Sequence, residues 1–293
     1  MLGVLTPEEK KNSVRFGPSG NSESFYAIGY KHSFEAFAWL NGLGLSAYEY
    51  SFSHGVNMKP ETAETIGREA SKYNIAVSCH APYYINLATE ETEKKQKNID
   101  YLVDSARLLK MMGGKRVVFH PGSFAKTTQV KAYENIEKAL AEIVAIFRQE
   151  GLGDMMLCPE TLGKKRQSGS LDEIIALCDI DDMIYPTIDF GHLHARGQGA
   201  IVCEQDYADI LDAMEKGLSP EKYQNFHSHF SHIEYTDAGE KQHRTFADFG
   251  FGPDFAPLAK QVKQRGLTPT FICESRGTMA EDALVMKRIY ENE

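Results

Sequence analysis

The sequence predicts an α/β protein of one domain, folded as a (β/α)8 barrel, also called a TIM barrel. Eight short apolar runs, rich in β-branched or aromatic residues, alternate with amphipathic stretches that end near glycine. The chain has 293 residues, which suits a single barrel of this kind. The structural alternative is a doubly wound open sheet. We assign residues 1–13 to an N-terminal extension and residues 14–293 to the barrel.

The eight apolar runs are the predicted barrel strands. Each is short and bounded by turn residues or helical patterns, as buried parallel strands are. In chain order the runs are residues 14–16, 45–52, 75–79, 116–119, 154–158, 185–188, 226–230 and 268–273.

Signals for the start and the face of helices lie between these runs. Pro60 suits the first turn of a helix that runs to about Tyr73. Residues 132–147 place their apolar side chains on one helical face. Residues 170–173 (SLDE) and 278–281 (TMAE) both have the spacing of a capping box that opens a helix.

The composition excludes several classes of protein. Hydrophobic residues make up 42% and charged residues 25%, as in globular chains rather than disordered or fibrous ones. No apolar run approaches the ~18 residues of a membrane span, and the N-terminus lacks a signal-peptide core, so no membrane partner is expected. The five cysteines form no CxxC pair, which favours a reducing cytoplasm. The net charge of −9 is unusual for a protein that binds nucleic acid.

Polar side chains follow the predicted strands at the end where the active site of such a barrel lies. The imidazoles and carboxylates among them form a ligand set for a divalent cation such as zinc or manganese. Carboxylates crowded into one bowl would repel each other unless a cation or protons intervened. From the second strand onward these residues are Glu49, His80, His120, Glu160, Asp189, His229 and Glu274, of which all but Glu49 belong to the predicted ligand set.

The choice of ligand on the seventh strand rests on the alternation of side chains along a strand. Phe226 and Phe230 fall on one face, whereas His227 and His229 fall on the other. The phenylalanines belong beneath the helices, so both histidines face the bowl. His229 lies nearer the top and is the predicted ligand, with His232 as the alternative.

Two further histidines lie in the segments that follow predicted strands. His192 lies three residues after Asp189, and His243 lies three residues after Glu240. The alternative for His243 is an ordinary solvated loop position.

Five segments carry short motifs in a fixed order along the chain. They are HAPYYINLA at 80–88, FHPGS at 119–123, PET at 159–161, DFGH at 189–192 and ICES at 272–275. Together they resemble the endonuclease IV family of apurinic/apyrimidinic endonucleases, within the xylose isomerase-like barrels. The resemblance runs from about Arg15 to Tyr290, and the first two motifs are its most specific part.

The resemblance implies a zinc-dependent hydrolase that cuts DNA on the 5′ side of abasic sites, as in base excision repair. It implies two or three zinc ions, with manganese as the alternative cation, and Glu160 and Glu274 as catalytic residues. Tyr83 matches a tyrosine that contacts DNA in the family. The implied ligand sets are His80, His120 and Glu160 for one ion; Glu160, Asp189, His229 and Glu274 for a second; and His192 and His243 for a third.

The sequence departs from the family at two positions. Lys241 stands where the family has an aspartate ligand of the third ion, and Glu240 or Asp237 is the candidate substitute. The segment 52–58 has no arginine where the family inserts one into DNA. A divergent member with an altered substrate is therefore one interpretation.

Basic residues after the predicted strands would offset part of the negative charge near the active-site end of the barrel. Lys164, Arg196 and Arg276 follow strand ends, where phosphates would approach, and bound cations would further offset the ligand carboxylates. The alternative for these residues is an ordinary solvated surface.

The sequence leaves a second enzyme class open. A sugar isomerase or epimerase of the same barrel class would hold one metal with Glu160, Asp189, His229 and Glu274. His80 and His120 have no role there, so they favour a hydrolase with several metal ions and abasic DNA as partner. The intact ligand set disfavours a third interpretation, a binding protein without catalysis. We expect a monomer.

Overall fold

Eight parallel strands line a central barrel in the computed structural model, which describes residues 13–293 except residues 54 and 125–126. The predicted extension, residues 1–13, lies outside the described residues apart from Ser13. The barrel strands are β1 (Arg15–Pro18), β2 (Ala47–Ser51), β3 (Ala76–His80), β4 (Arg116–Phe119), β5 (Met156–Pro159), β6 (Thr187–Asp189), β7 (His227–Phe230) and β8 (Thr270–Cys273).

The strands close on themselves. One half of the sheet has the order β1-β8-β7-β6 and the other has the order β2-β3-β4-β5. A parallel bridge between Ser19 and Glu49 joins β1 to β2, and a bridge between Glu160 and Thr187 joins β5 to β6. The eight described strands therefore form a closed circle, so the predicted (β/α)8 barrel is confirmed and an open sheet is excluded.

Helices surround the barrel and cover its outer face. They are α1 (Glu23–Ala27), α2 (Ala36–Leu43), α3 (Pro60–Lys72), α4 (Thr92–Met111), α5 (Gln129–Gln149), α6 (Leu171–Leu177), α7 (Phe190–Arg196), α8 (Glu204–Gly217), α9 (Pro220–Gln224), α10 (Phe255–Gln264) and α11 (Met279–Asn292), with a 3₁₀ turn at Ser33–Glu35. None of the helices within the described residues is both long and apolar enough to cross a membrane.

Two of the predicted helix starts are confirmed. α3 begins at Pro60, whose missing N–H costs nothing in the first turn, and it ends one residue before the predicted Tyr73. Ser170 caps α6 by accepting a hydrogen bond from the N–H of Glu173, and the Glu173 side chain accepts from the N–H of Ser170. This is the predicted capping box.

The capping box predicted at residues 278–281 is wrong. The hydroxyl of Thr278 donates to Asp282 Oδ2 at 3.1 Å, and the Glu281 carboxylate accepts from the hydroxyl of Ser24. The first turn of α11 is capped from another segment, because Ser22 Oγ accepts from the N–H of Ala280 at 2.8 Å. A tertiary contact has replaced the local one.

Side chains alternate between the helices and the barrel interior along each strand. Val118, Cys158 and Tyr185 form a small apolar cluster separate from the large core beneath the helices. Below it, the guanidinium of Arg116 donates to Thr270 Oγ1 at 2.9 Å and to the carbonyl of Asn225 at 2.6 Å. The barrel is therefore packed below its upper end, where the polar residues collect.

Additional β structure stands above the barrel. A hairpin, His232–Thr236 with Gly239–Arg244, follows β7 directly. A short antiparallel pair, Gly122–Ser123 with Gln167–Ser168, ties the loop after β4 to the loop after β5. Both lie on the loop side of the strands, so they shape the mouth of the barrel.

The close approach of β1 to β2 generates a test of the fold. A Cβ at Gly17 would lie 1.8 Å from the carbonyl oxygen of Ala47, so we expect Gly17→Ala to lower the free energy of unfolding by at least about 3 kcal/mol or to prevent folding. Gly42 in α2 has open space around it, so Gly42→Ala should be neutral or stabilise by up to about 1 kcal/mol. Urea unfolding of both variants checks this, and equal effects would contradict it.

Candidate metal centre

A polar cleft opens at the carboxyl ends of the barrel strands. Its volume is about 420 Å³. Predicted ligands and several unpredicted polar residues share its lining, which includes Ser19, Ser51, Ser53, His80, Tyr83, His120, Lys164, Gln167, His192, Glu240, His243 and Glu274.

Glu160 lies at the centre of this arrangement. It follows β5 and is 1% exposed. Its Oε2 lies 3.2 Å from Nε2 of both His80 and His120. Its Oε1 lies 3.0 Å from His229 Nδ1 and 3.4 Å from His192 Nδ1. Each oxygen therefore faces a different group of histidines.

His80, His120 and Glu160 form the first candidate ligand group, and a second candidate group lies around Oε1 of Glu160. Asp189, His229 and Glu274 each offer an atom there, and the four ligand atoms lie within 4.8 Å of one another. Asp189 Oδ1 accepts from the N–H of His192 at 2.6 Å and so caps α7. Glu274 Oε1 lies 3.5 Å from His229 Nδ1.

A third group joins His192 and His243 to a carboxylate. His192 Nε2 lies 3.5 Å from Glu240 Oε2, and these two residues cluster with His243. Glu274 also approaches this group, with its Oε2 3.7 Å from His243 Nε2. Of the two candidate substitutes for the missing aspartate, Glu240 is the one that joins this cluster.

A β-bulge at Lys241 explains why Glu240 faces the cleft. In the hairpin, Glu234 pairs with Gln242 whereas Tyr235 pairs with Glu240, so Lys241 is the extra residue. Glu240 consequently shares a face with His243, although it lies three residues before it. Lys241 turns outward and pairs with Glu234 Oε1 at 2.5 Å.

The hairpin tip is fixed against the loop that follows β5. Glu240 donates its N–H to the carbonyl of Gly163 at 3.1 Å, and Lys165 donates its N–H to the carbonyl of Ala238 at 3.1 Å. A Cβ at Gly239 would lie 2.1 Å from the carbonyl oxygen of Gly163, and the φ of Gly239 is +101°. Only glycine permits this approach, which sets the position of Glu240.

The histidine rings are oriented by contacts on their outer nitrogens. His80 Nδ1 lies 2.6 Å from the carbonyl of Ala81, and His192 Nδ1 lies 2.9 Å from the carbonyl of Thr161. His243 Nδ1 lies 2.8 Å from Ser231 Oγ. A ring that donates from Nδ1 presents the lone pair of Nε2 to the cleft, which is the usual arrangement of histidine ligands.

Burial and charge act against each other on the buried carboxylates. Burial would raise the pKa of Glu160, but His229, His120 and His192 hold that pKa well below its usual range. Burial raises the pKa of Asp189, and the nearby Glu160 carboxylate adds to the rise although His192 opposes it. The histidines therefore compensate the charge of Glu160, whereas the charge of Asp189 is left without full compensation.

The donor chemistry fits divalent cations. Imidazole nitrogens and carboxylate oxygens together suit zinc or manganese. Asp189 Oδ2 is buried and has no hydrogen-bond partner among the residues that the structure describes, and a cation within the second group would satisfy it. The residues present therefore fit the predicted ions.

Glu49 does not lie at the end of its strand, contrary to the prediction. Strand β2 continues to Ser51, which is level with His80, whereas Glu49 is level with Ser78 one layer lower. The predicted run, residues 45–52, already extends past Glu49, so the prediction assigns Glu49 to the wrong level of a strand whose extent is close to the observed one. Glu49 is fully buried and contacts His229 from below, with its Oε1 2.8 Å from Nε2.

The predicted substrate contacts differ in their surroundings. Tyr83 is 56% exposed at the mouth of the cleft, and Lys164 lines the cleft. Arg196 donates to the carbonyls of Leu162, Lys164 and Gln167, so it braces the loop after β5. A substrate contact of Arg196 stays a prediction. The polar lining residues Ser51 and Gln167 carried no sequence signal.

Relatives of the chain include proteins named as probable endonucleases and one named as uncharacterized. "Uncharacterized protein MJ0133" of Methanocaldococcus jannaschii is 34% identical over 260 residues, covering 89% of this chain and 93% of that protein. "Probable endonuclease 4" of Mycoplasma pneumoniae is 25% identical over 166 residues, 55% of each chain. The protein of the same name from Thermotoga neapolitana is 25% identical over 243 residues, 79% of this chain and 80% of that one.

Solved structures with this fold include endonuclease IV from Thermus thermophilus, with a TM-score of 0.68, 18% identity and coverage of 95% and 98% of the two chains. A D-tagatose 3-epimerase-like protein has a TM-score of 0.69, 18% identity and coverage of 95% and 96%. At this identity the likeness concerns the fold alone. The profile of the xylose isomerase-like TIM barrel family matches residues 37–289. The chain therefore belongs to the xylose isomerase-like TIM barrel family.

Proposed function

We propose that this protein hydrolyses a phosphodiester bond in DNA on the 5′ side of abasic sites, with two or three divalent cations, zinc or manganese. Glu160 and Glu274 are the proposed catalytic residues. The proposal is supported by the resemblance of the strand-end motifs to endonuclease IV and by the relatives named probable endonuclease 4.

The observation that carries the proposal is the position of His80 and His120. Both rings direct Nε2 at Oε2 of Glu160, whereas His229 of the four-ligand group lies against Oε1. A barrel that used one cation would leave two imidazoles and one carboxylate oxygen without a role. Glu160 would instead bridge two cations, an arrangement typical of phosphoester hydrolases.

Bound divalent cations would supply a lowered pKa for water and compensation for the negative charge that develops on phosphorus oxygens. The protein would hold them with His80, His120 and Glu160; with Glu160, Asp189, His229 and Glu274; and with His192, Glu240 and His243. Glu274 belongs to the second group, and its Oε2 lies 3.7 Å from His243 of the third group, so it would connect the two groups.

The rest of the cleft suits a nucleic acid strand. Lys164 supplies a positive charge beside the proposed ions, where it would meet a phosphate. Tyr83 presents a half-exposed ring at the mouth, held edge-on by Tyr84 at a centroid distance of 5.4 Å. An exposed aromatic face of this kind stacks on a base or fills the gap that a lost base leaves.

A sugar isomerase or epimerase is the second candidate. Glu160, Asp189, His229 and Glu274 by themselves form a sufficient single-cation site. The barrel also superposes on epimerases. An epimerase that binds one cation would have no role for His80 and His120, nor for the group of His192, Glu240 and His243.

We expect duplex DNA with a single abasic site to be cut once, on the 5′ side, by the cation-loaded protein, and a strong chelator to abolish the cut. Tyr83→Ala should weaken binding roughly 10- to 100-fold because one stacking contact is lost, whereas Tyr83→Phe keeps the ring and should bind normally. Gel analysis of end-labelled DNA measures both effects. Intact abasic DNA, together with proton exchange on a ketose in deuterated water, would establish the epimerase instead.

We expect more than one cation per chain, since the ligand atoms exceed what one tetrahedral or octahedral ion uses. The double variant His80→Ala, His120→Ala should lose one equivalent by elemental analysis of the purified protein, because the first group would retain Glu160 alone. A stoichiometry of one that this double variant leaves unchanged would contradict the proposal and favour the epimerase.

The bulge at Lys241 leads to a prediction about which residue of the hairpin completes the third group. Glu240→Gln should lower the bound cation by one equivalent, because His192 and His243 alone bind an ion weakly. Lys241→Ala, which alters the residue at the family's aspartate position, should leave the stoichiometry unchanged. Elemental analysis of both variants decides the matter: loss of an ion in Lys241→Ala but not in Glu240→Gln would refute our assignment.

A further inference from the structure

A buried polar network lies inside the barrel directly beneath the four-ligand group. Its members are Glu49 on β2, Ser78 on β3 and His227 on β7, and each is at most 5% exposed. Glu49 Oε2 accepts from Ser78 Oγ at 2.7 Å and contacts His227 Nε2 at 2.8 Å. These three residues lie outside the ligand groups proposed above.

The other oxygen of Glu49 reaches a proposed ligand. Glu49 Oε1 lies 2.8 Å from His229 Nε2, across the barrel interior between β2 and β7; the pair is at ion-pair distance but not aligned as a hydrogen bond, and neither atom has a hydrogen-bond partner among the described residues. On the opposite edge of the same ring, Nδ1 lies 3.0 Å from Glu160 Oε1 and 3.5 Å from Glu274 Oε1. The ring of His229 is thus held between one carboxylate below and two carboxylates above.

This placement would assign the two nitrogens of His229 once a cation lies in the four-ligand group. A neutral imidazole carries one N–H, and carboxylates lie beside both nitrogens of this ring; a cation held with Glu160 and Glu274 would take the Nδ1 side and leave the N–H on Nε2, beside Glu49. The lone pair of Nδ1 then points toward Glu160 and Glu274. Carboxylates that accept from the outer nitrogen of a histidine ligand orient the ring and raise its basicity.

Glu49 is itself held in place. It is 0% exposed, and Ser78 and His227 occupy its Oε2, so it has little freedom to swing away from His229. A buried carboxylate without such partners would be costly. The network therefore holds the carboxylate in the one place where it contacts Nε2.

We propose that Glu49 is a positioning residue of the metal centre, which selects the Nδ1-binding form of His229 and strengthens the four-ligand site. The inference rests on the proposed metal centre but not on DNA as the substrate. Ser78 and His227 act through Glu49 rather than on the cation.

The experiment compares zinc affinity in three proteins by competition with a chromophoric chelator. Glu49→Gln keeps the shape of the side chain but removes its charge, and we expect one zinc dissociation constant to rise roughly 10- to 100-fold. Ser228→Ala is the matched control, because its buried hydroxyl lies on the same strand as His229 and donates to the carbonyl of Ile188 at 2.8 Å. This control should bind zinc as the unaltered protein does.

A second measurement locates the proton on the His229 ring in the unaltered, zinc-loaded protein. Nitrogen–proton correlation spectra of the imidazoles should show His229 with its proton on Nε2 and zinc on Nδ1. The proton on Nδ1 would overturn the inference even if Glu49→Gln failed to fold.

The remaining outcomes separate this inference from the proposed function. Lower thermal stability of Glu49→Gln with unchanged zinc affinity would make Glu49 a structural residue and overturn the inference alone. An unaltered protein that binds no zinc at the four-ligand group would overturn both. Zinc binding that weakens in Glu49→Gln supports the inference whatever the protein does to DNA.

Discussion

The arrangement of the centre depends on one buried carboxylate that faces two ways. Glu160 directs each oxygen at a different set of imidazoles, and strands β3, β4 and β7 bring His80, His120 and His229 to it. In a dry environment such a carboxylate is stable only with positive charge on both sides. The parallel barrel supplies this arrangement because the ends of its strands converge at one opening.

Support for that carboxylate comes from two directions. Beneath it, Glu49 contacts His229 from inside the barrel. Above it, the hairpin after β7 rests its tip on Gly163 in the loop after β5, and this contact carries Glu240 toward His192. The proposed ligand residues are thus held by the barrel interior and by the added hairpin together.

The strand-end residues could be predicted from the sequence because their signals are local. A short apolar run followed by His or Glu marks both a strand and its end, as at His80 and Glu160, which the structure brings together. The errors arose where the deciding contact is distant in sequence. The level of Glu49 depends on the register of β2 against β3, and the cap of α11 comes from Ser22 at the other end of the chain. Local patterns also carry no record of the three carbonyls in another loop to which Arg196 donates, although its predicted contact with a substrate stays a prediction.

The bulge in the hairpin has a consequence for how this protein is compared with others. Counting back two residues from His243 reaches Lys241, which points away, whereas the carboxylate that faces the cleft stands one residue earlier. Equivalence by aligned column and equivalence by position in space therefore separate at this point. A lysine two residues before His243 therefore does not leave this part of the cleft without an acidic group, because Glu240 supplies one.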